Sequence, residues 1–376
     1  MYLALREMRR AKTRFGLLVG AVGLLVFLIL TQQALQDGLI TSFVGAIRQQ
    51  SAPVLVYSTD GQKTLQGSVI SPPLERSIRA VDGVEAAGRI GQGTFTVQVE
   101  GDDATSDAAI IGAEDPSLGG VRRVDQGRQA DAPGEAVGSA ADFSVGDRVR
   151  IVPVGVPGGE GPELVVVGVV EEGQLQVTPT LFTSWADYEA AARAANPEAE
   201  AVLPNVIGLR PAEGTTADQL IEAVNATSED ADALTREQAA TDTPGVGQVR
   251  QSFQVIFLLY GLVVPLVTGL FFLIVTFQKS ASLTLLRAVG ADSTTLVRSL
   301  LFQVVVVVVG ALVIGTALYW PLSQQTVGAI DLRFDPVAVG VWSVLLLALG
   351  LLSALVAARR VLRIDPIEAT TGGGGR

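Results

Sequence analysis

The sequence predicts an α-helical membrane protein with four transmembrane helices, arranged as one and then three, and a mixed α/β extracytoplasmic domain between the first and the second. Four apolar runs contain no Lys, Arg, Asp or Glu, and each reaches the ~20 residues that a helix needs to cross a ~30 Å hydrocarbon core. The segment between the first two runs has the composition of an ordinary water-exposed domain. The runs are Phe15–Leu35, Phe253–Phe277, Ser299–Trp320 and Val337–Ala358.

Three regions follow from this layout. Residues 1–36 are expected to form a cytoplasmic amphipathic helix that leads into the first span, and residues 37–252 the extracytoplasmic domain. Residues 253–376 should contain three spans, a cytoplasmic helix at 278–298 and a cytoplasmic tail. A cleaved signal peptide is the alternative for the first run, but that run is long and no small-residue cleavage site follows it before Asp37.

The charges predict the orientation of the chain. Cytoplasmic flanks of membrane helices carry an excess of Lys and Arg. Basic residues precede the first run, lie between the second and third, and follow the fourth, whereas residues 37–252 are strongly acidic within a chain of net charge −11. We therefore expect a multi-pass protein of the plasma membrane with both termini in the cytoplasm. The basic flanking residues are Arg6, Arg9, Arg10, Lys12, Arg14, Lys279, Arg287, Arg298, Arg359, Arg360, Arg363 and Arg376.

The composition also excludes several kinds of chemistry. The chain has no His, no Cys and only 2 Met, so it lacks Ser–His and Cys–His catalytic pairs and the commonest metal and haem ligands. The phosphate-binding pattern GxxxxGK[ST] does not occur. Its acidity argues against a nucleic-acid partner. We expect no catalytic residue, no metal site and no resident cofactor, and therefore no enzyme.

The extracytoplasmic segment shows short β-branched runs and a few helical stretches. Two prolines open the first helix, Pro197 stops the second, and Thr216 caps the third. The segment Gly155–Pro162 is expected to be a hairpin-like loop, and Asn225–Pro244 a helix followed by a linker. Expected strands are Val54–Ser58, Thr94–Val99, Ala108–Ile111, Asp147–Val152, Leu164–Val170 and Asn205–Leu209, and expected helices are Leu74–Val81, Trp185–Ala195 and Thr216–Val224.

The loop between the second and third runs has the pattern of a short amphipathic helix. Leu283, Leu286 and Val289 recur at three-residue spacing, and Leu285 widens the apolar stripe. Gly290 can end the helix in the left-handed conformation. The pattern leaves two interpretations open, a helix that docks on a partner and a helix that lies in the lipid headgroup layer.

This loop also carries a family resemblance. The segment Leu285–Ala291, LLRAVGA, resembles the LRAxGA segment of FtsX/MacB-type ABC transporter permeases. Arg6–Leu18 is similar to the basic helix before the first span of that family, Val145–Val170 to its GDxVxI…VVGVV strands, and Arg360–Ala369 to its R…DPxxAL tail. The likeness runs in order along the whole chain and is nearest to the DevC/HrtB-like branch. Thr284 stands where many relatives have Glu.

The resemblance implies a role for that loop and a set of partners. In the family the segment is a coupling helix gripped by a cytoplasmic ABC ATPase, two copies of which serve a permease homodimer surrounded by membrane lipids. ATP and Mg are bound by the ATPase and not by this chain. The implied coupling residues are Leu283, Leu285, Leu286, Arg287, Ala288, Val289, Gly290 and Ala291.

Small residues in the first two spans are candidates for the dimer contact and the substrate gate, because they let helices approach closely in lipid. Ordinary tolerance of glycine in membrane helices is the alternative for any one of them. Tyr260 is either a haem ligand or an interfacial anchor of the aromatic belt. The candidates are Gly16, Gly20, Gly23, Tyr260, Gly261, Pro265 and Gly269.

The resemblance therefore implies a permease subunit that uses a partner ATPase to extrude a lipophilic or amphipathic substrate from the membrane. Haem and a glycolipid or similar lipid are the two substrates implied by relatives in this branch. One alternative is a permease that transmits force to an extracytoplasmic partner without transporting cargo. Another, which requires that no ATPase partner exist, is a membrane-anchored binding protein. The absence of charge in the four spans suits a lipophilic substrate.

Overall fold

The structure is a computed structural model that describes residues 11–153, 161–278, 293–324, 326–327 and 330–362. The chain divides into two compact units. The helical unit comprises the described parts of 1–36, 251–326 and 331–376, and the sheet unit comprises those of 37–250 and 327–330.

The helices and strands alternate through the sheet unit and give way to long helices at both ends of the chain. The helices are α1 (Lys12–Gln49), α2 (Pro72–Arg79), α3 (Pro116–Gly119), α4 (Trp185–Ala195), α5 (Ala217–Thr227), α6 (Arg236–Asp242), α7 (Val246–Gln278), α8 (Ser293–Leu322) and α9 (Pro336–Leu362). The strands are β1 (Val54–Ser58), β2 (Val84–Val99), β3 (Thr105–Ala113), β4 (Gln126–Gly127), β5 (Glu135–Ser139), β6 (Arg148–Ile151), β7 (Glu163–Val170), β8 (Thr180–Ser184), β9 (Val206–Pro211), β10 (Ala231–Thr235), β11 (Thr326–Val327) and β12 (Ile330–Asp331).

Four of these helices, α1, α7, α8 and α9, are long and apolar enough to cross a membrane. Each contains one of the apolar runs recognised in the sequence, so the prediction of one span followed by three is confirmed. The large mixed α/β domain between the first and second of them is confirmed as well.

Ten strands of the sheet unit form one mixed sheet in the order β10-β1-β9-β2-β3-β8-β5-β7-β4, and β6 pairs with β2 and β7. Most neighbours are antiparallel, whereas β3 and β8 run parallel, as do β5 and β7. The parallel pairs join strands that are distant in the sequence, because a parallel neighbour requires a long crossover connection.

Both faces of the sheet are buried at β1. Alternate residues of this strand point to opposite sides of the sheet, and each set packs into its own apolar cluster. Val54 and Val56 pack with Leu74 and Ile78 of α2 and with Leu220 of α5. Leu55 and Tyr57 belong to the cluster on the other face. A β-branched strand that is buried on both sides therefore reads in the sequence as a continuous apolar run.

Local capping explains where the shorter helices begin. The Thr216 side chain accepts a hydrogen bond from the Gln219 amide at 3.2 Å, and the Gln219 side chain accepts one from the Thr216 amide at 2.9 Å. This reciprocal pair satisfies two donors that a helix N-terminus otherwise leaves free. Helix α4 runs over the residues predicted for it, from Trp185 to Ala195.

The prediction of a helix and a linker over Asn225–Pro244 is wrong in part. Helix α5 ends at Thr227, and the chain then forms β10, which pairs antiparallel with β1 from Val54↔Thr235 to Ser58↔Ala231. The Asn225 side chain fixes this turn by accepting a hydrogen bond from the Ala233 amide at 2.7 Å. Strand β10 lies at the edge of the sheet and pairs with a neighbour on one side only. Its sequence, Ala-Asp-Ala-Leu-Thr, therefore lacks the continuous apolar run of an inner strand.

Two other differences concern the strands. Strand β2 begins at Val84, ten residues before the predicted start, and β5 and β8 were missed because they are short and contain small polar residues. Strands β6 and β7 pair antiparallel, in agreement with the predicted hairpin, although residues 154–160 of its loop lie outside the described part.

A buried carboxylate links α2 to the sheet. Glu75 receives hydrogen bonds from Arg79 at 3.0 Å and from Arg89 of β2 at 2.8 Å, and its side chain is 8% exposed. Arg79 also contacts Glu114, the residue that follows β3, at 2.7 Å. Burial opposes ionisation of Glu75, but the two guanidinium groups outweigh it and lower the pKa of this carboxyl below its ordinary value.

We predict that Glu75→Gln lowers the free energy of unfolding of the sheet unit by about 1 kcal/mol at pH 7, a value discounted because both arginines are partly exposed. The folded-state pKa lies below the ordinary value of 4.5, so this contribution is present above pH 4.5 and is lost as the pH falls through the folded-state pKa. Thermal unfolding of the detergent-solubilised protein at several pH values measures the difference.

The matched control is Glu189→Gln, which removes an exposed helix-surface pair with Arg193 at 2.7 Å. We expect this control to change the unfolding midpoint little, because exposed pairs contribute only ~0.2–1 kcal/mol. Equal effects of the two substitutions, or a Glu75 effect that does not shrink in acid, would contradict the role assigned to Glu75.

Candidate functional site

The first and third membrane helices pack through glycine. A Cβ atom built on Gly315 of α8 would lie 2.5 Å from Val26 Cγ1 and 2.8 Å from the Gly23 carbonyl oxygen of α1. A Cβ atom on Gly23 would lie 3.2 Å from the Ala311 carbonyl oxygen. The two backbones therefore approach too closely for larger residues, which is the usual way in which helices associate in lipid.

The second and fourth membrane helices meet at Pro265, which lies inside α7. The Ser353 hydroxyl of α9 donates a hydrogen bond to the Pro265 carbonyl oxygen at 2.8 Å. A Cβ atom on Gly269 would lie 2.2 Å from Ser353 Oγ, so only glycine leaves room for this contact. The Ser353 hydroxyl thus supplies a polar contact between the backbone of α7 and a neighbouring helix.

Aromatic side chains complete the bundle towards its two ends. Phe15 of α1 and Phe271 of α7 meet edge to face with ring centroids 5.9 Å apart. Phe257 of α7 lies 5.2 Å from Trp342 of α9, whose indole Nε1 donates to Gln33 Oε1 of α1 at 3.4 Å. The helical unit is thus a packed four-helix bundle, with its core cluster shared by all four helices.

Outside this bundle, α1 and α7 each keep an open apolar face. On α1 a Cβ atom on Gly16 or Gly20 would meet nothing within 4 Å, and on α7 the same holds for Gly261. We call these surfaces the open faces. Their exposed side chains include Leu17, Leu24, Leu258, Leu262, Leu266 and Leu270.

The structure therefore separates the candidate gate residues into two groups. Gly16, Gly20 and Gly261 lie on the open faces, where a second molecule has room to approach. By contrast, the other three small residues, Gly23, Pro265 and Gly269, make contacts inside a single copy of the bundle. Tyr260 is half-buried and packs against the bundle core.

Sequence reasoning missed the partners of the buried group. Gly315, Gly350 and Ser353 take part in the close helix contacts, but they stand in the third and fourth spans, where no motif drew attention to them. Thr268 was also missed; it is fully buried in α7, and its hydroxyl has no hydrogen-bond partner among the described residues. The available signal was the presence of small or polar residues in otherwise aliphatic runs.

The predicted coupling residues, from Leu283 to Ala291, lie outside the described residues, because α7 ends at Gln278 and α8 begins at Ser293. The basic segment 1–10 and the tail from residue 363 lie outside them too. The assignment of the coupling helix therefore stays a prediction.

The sheet unit contains a cavity of about 230 Å³ beneath β3 and β8. Its lining combines apolar Val137 and Phe182 with the carboxylates of Glu114 and Asp131. Glu114 is already held by Arg79, so this cavity borders a structural ion network. Within the described residues no three His, Cys, Asp or Glu side chains are grouped as a metal site would require.

Comparison with known proteins places the C-terminal helices in a family. Residues 254–366 match the family model described as FtsX-like permease C-terminal. An uncharacterized ABC transporter permease of Mycobacterium tuberculosis strain H37Rv is 23% identical over 379 residues, which cover 99% of each chain. A protein of Staphylococcus epidermidis strain ATCC 12228, named as a candidate hemin transport system permease, HrtB, is 25% identical over 112 residues, 30% of this chain and 32% of its own.

Two solved structures overlap about half of the chain. The periplasmic region of MacB from Actinobacillus actinomycetemcomitans has a TM-score of 0.35 and 11% identity, covering 51% of this chain and 92% of that one. The extracellular domain of the ABC-type transporter YknZ from Gram-positive bacteria has a TM-score of 0.31 and 12% identity, covering 48% and 99%.

The two groups of glycines should respond differently to substitution. We predict that Gly23→Val destabilises the bundle by about 1–3 kcal/mol, because the added methyl groups collide with α8. Gly20→Val, in the same helix, should leave stability nearly unchanged, since its site is open. The thermal unfolding midpoint in detergent micelles distinguishes the two, and equal midpoints would contradict this packing.

Proposed function

We propose that this chain, an ABC transporter permease with an FtsX-like C-terminal region, is the membrane subunit of a plasma-membrane exporter. In this exporter a partner ATPase drives the extrusion of an apolar or amphipathic molecule from the bilayer. The observation that carries this proposal is the pair of open faces, where exposed leucines alternate with accessible glycines. Such a surface is uncharged and lies deep in a membrane span, so it suits a lipophilic molecule far better than a soluble ion.

The complex we propose contains two copies of this chain and two copies of a cytoplasmic ATPase, which binds ATP and Mg. The basic flanks support a cytoplasmic location for both termini and for the loop around Arg287. Protease added to intact cells should then leave that loop intact, and cleavage near Arg287 would contradict this orientation.

The cargo class divides into haem and a glycolipid-like lipid. Similarity to the protein named for hemin transport, over 112 residues of the chain, supports haem. The chain contains neither His nor Cys, so a haem iron would need an oxygen ligand, for which Tyr260 on α7 is a candidate. A lipid would need only the apolar open faces.

The test is the ATPase activity of the permease reconstituted with its partner ATPase in vesicles, with and without hemin or a glycolipid. We expect one of these amphiphiles to stimulate hydrolysis several-fold and to be extracted from the membrane. Tyr260→Phe should weaken hemin binding if the phenol ligates iron, and it should matter little for a lipid.

Gly20→Leu should lower extrusion strongly while leaving basal hydrolysis largely intact, since it fills an open face and does not touch the coupling loop. Stimulation only by a charged, water-soluble compound would contradict the proposal. Hydrolysis that depends on the permease, with neither amphiphile extracted, would favour a permease that only transmits force.

Coupling to the ATPase supplies a separate prediction. Leu286→Asp should abolish permease-dependent stimulation of hydrolysis, because a carboxylate on the apolar stripe is costly to desolvate at a docking surface. Thr284→Asp is the matched control, since position 284 falls on the opposite side of a helix from Leu286. Recovery of the complex and its hydrolysis rate measure the effect, and a fully active Leu286→Asp complex would refute the coupling assignment.

A further inference from the structure

A loop of the sheet unit forms backbone hydrogen bonds with helix α1 near its C-terminal end. In an uninterrupted α-helix the Ala46 amide would donate to the Ser42 carbonyl, four residues earlier. Here the Ala46 amide donates to the Gln174 carbonyl oxygen at 2.9 Å, and the Ser42 carbonyl accepts from the Val177 amide at 2.9 Å. The Phe43 carbonyl accepts a third bond, from the Gln176 amide at 2.9 Å.

This contact requires an unusually close approach of two backbones. A Cβ atom built on Gly45 would lie 2.4 Å from the Glu172 carbonyl oxygen, so only glycine fits between helix and loop. The approach takes place within the sheet unit, to which residues 37–49 of α1 belong.

The loop holds a strained backbone in this position. Gln176 has φ 52° and Val177 has φ 62°, both in the left-handed region. That region is costly for any residue with a Cβ atom and most costly for a β-branched one. A strained conformation persists only where the surrounding contacts hold it, and such strain is common at elements that switch.

A buried polar network anchors the loop from its other side. The Gln174 side chain donates to Asp142 Oδ2 at 2.8 Å, and the Ser139 hydroxyl donates to the same oxygen at 2.6 Å. The Thr180 hydroxyl accepts a bond from the Leu175 amide at 2.9 Å. The ends of the loop are therefore firmly held, while the strain is concentrated at residues 176 and 177.

We propose that residues 172–178 form a latch that reversibly exchanges backbone hydrogen bonds with α1 at Ser42–Ala46. In the latched state, described by the structure, the loop supplies the partners of Ala46 and Ser42. In the released state Ala46 donates to Ser42 within the helix, the loop amides turn to water, and the strain at Val177 is relieved. Both states satisfy the backbone of the helix, as a buried segment requires.

The latch goes beyond the proposed transport function, because it stands on the geometry of the sheet unit alone. Its consequence is that the end of the first membrane helix has two hydrogen-bonded arrangements with the sheet unit. A bistable element of this kind converts a small bias into a discrete change.

The test is amide hydrogen exchange of the full chain in lipid nanodiscs, followed in peptides that cover residues 42–47 and 174–178. Gly45→Ala should accelerate exchange of residues 174–178 about tenfold, because its methyl group excludes Glu172 and alanine favours the uninterrupted helix. Val177→Gly should slow exchange of residues 42–47 and 174–178 about tenfold, since glycine adopts φ 62° without strain.

Two matched controls separate these effects from general changes. Gly247→Ala adds a methyl group at a helix position where a Cβ atom meets nothing within 4 Å, and Val69→Gly removes an exposed valine elsewhere in the sheet unit. Neither should alter exchange of the two segments. Unchanged exchange in Gly45→Ala, or faster exchange in Val177→Gly, would overturn the latch, and the second variant keeps the test decisive if the first does not fold.

Discussion

Hydrocarbon offers no hydrogen-bond partner to a peptide group, and the helical unit depends on that constraint. Each span closes its backbone bonds within one helix, so the helices can associate only through side-chain packing and a few polar contacts. Glycines at the α1–α8 contact bring two backbones together, and Ser353 donates to the carbonyl of Pro265 in α7. The open faces of α1 and α7 are among the apolar surfaces that this packing leaves uncovered.

The sheet unit meets the same backbone requirement in a different way. Its carbonyl and amide groups pair across strands that are far apart in the sequence, as in the parallel pairs β3–β8 and β5–β7. Where α1 enters this unit, helix and loop share backbone donors and acceptors. In the proposed latch, the released state satisfies the same groups within the helix.

A lipophilic cargo and a force-transmitting permease place different demands on these features. Extrusion needs an apolar surface with room for a guest, which the open faces provide. Transmission of force needs elements with two discrete arrangements, since packed cores do not deform continuously. One chain can combine the two features, because the open faces belong to the helical unit and the proposed latch belongs to the sheet unit.

The sequence by itself determined the four spans, because ~20 uncharged apolar residues leave a helix few alternatives. It also determined strands such as Val54–Ser58 and helices such as Trp185–Ala195, whose patterns and caps are local. It indicated that small residues in the spans matter, but not which of them face the bundle and which face outward. Only the tertiary structure separated Gly20 from Gly23, made the polar segment Ala231–Thr235 an edge strand, and brought Val177 against Ser42. The physical reason is that each of these depends on a partner distant in the chain, and periodicity records the face of an element without identifying what covers it.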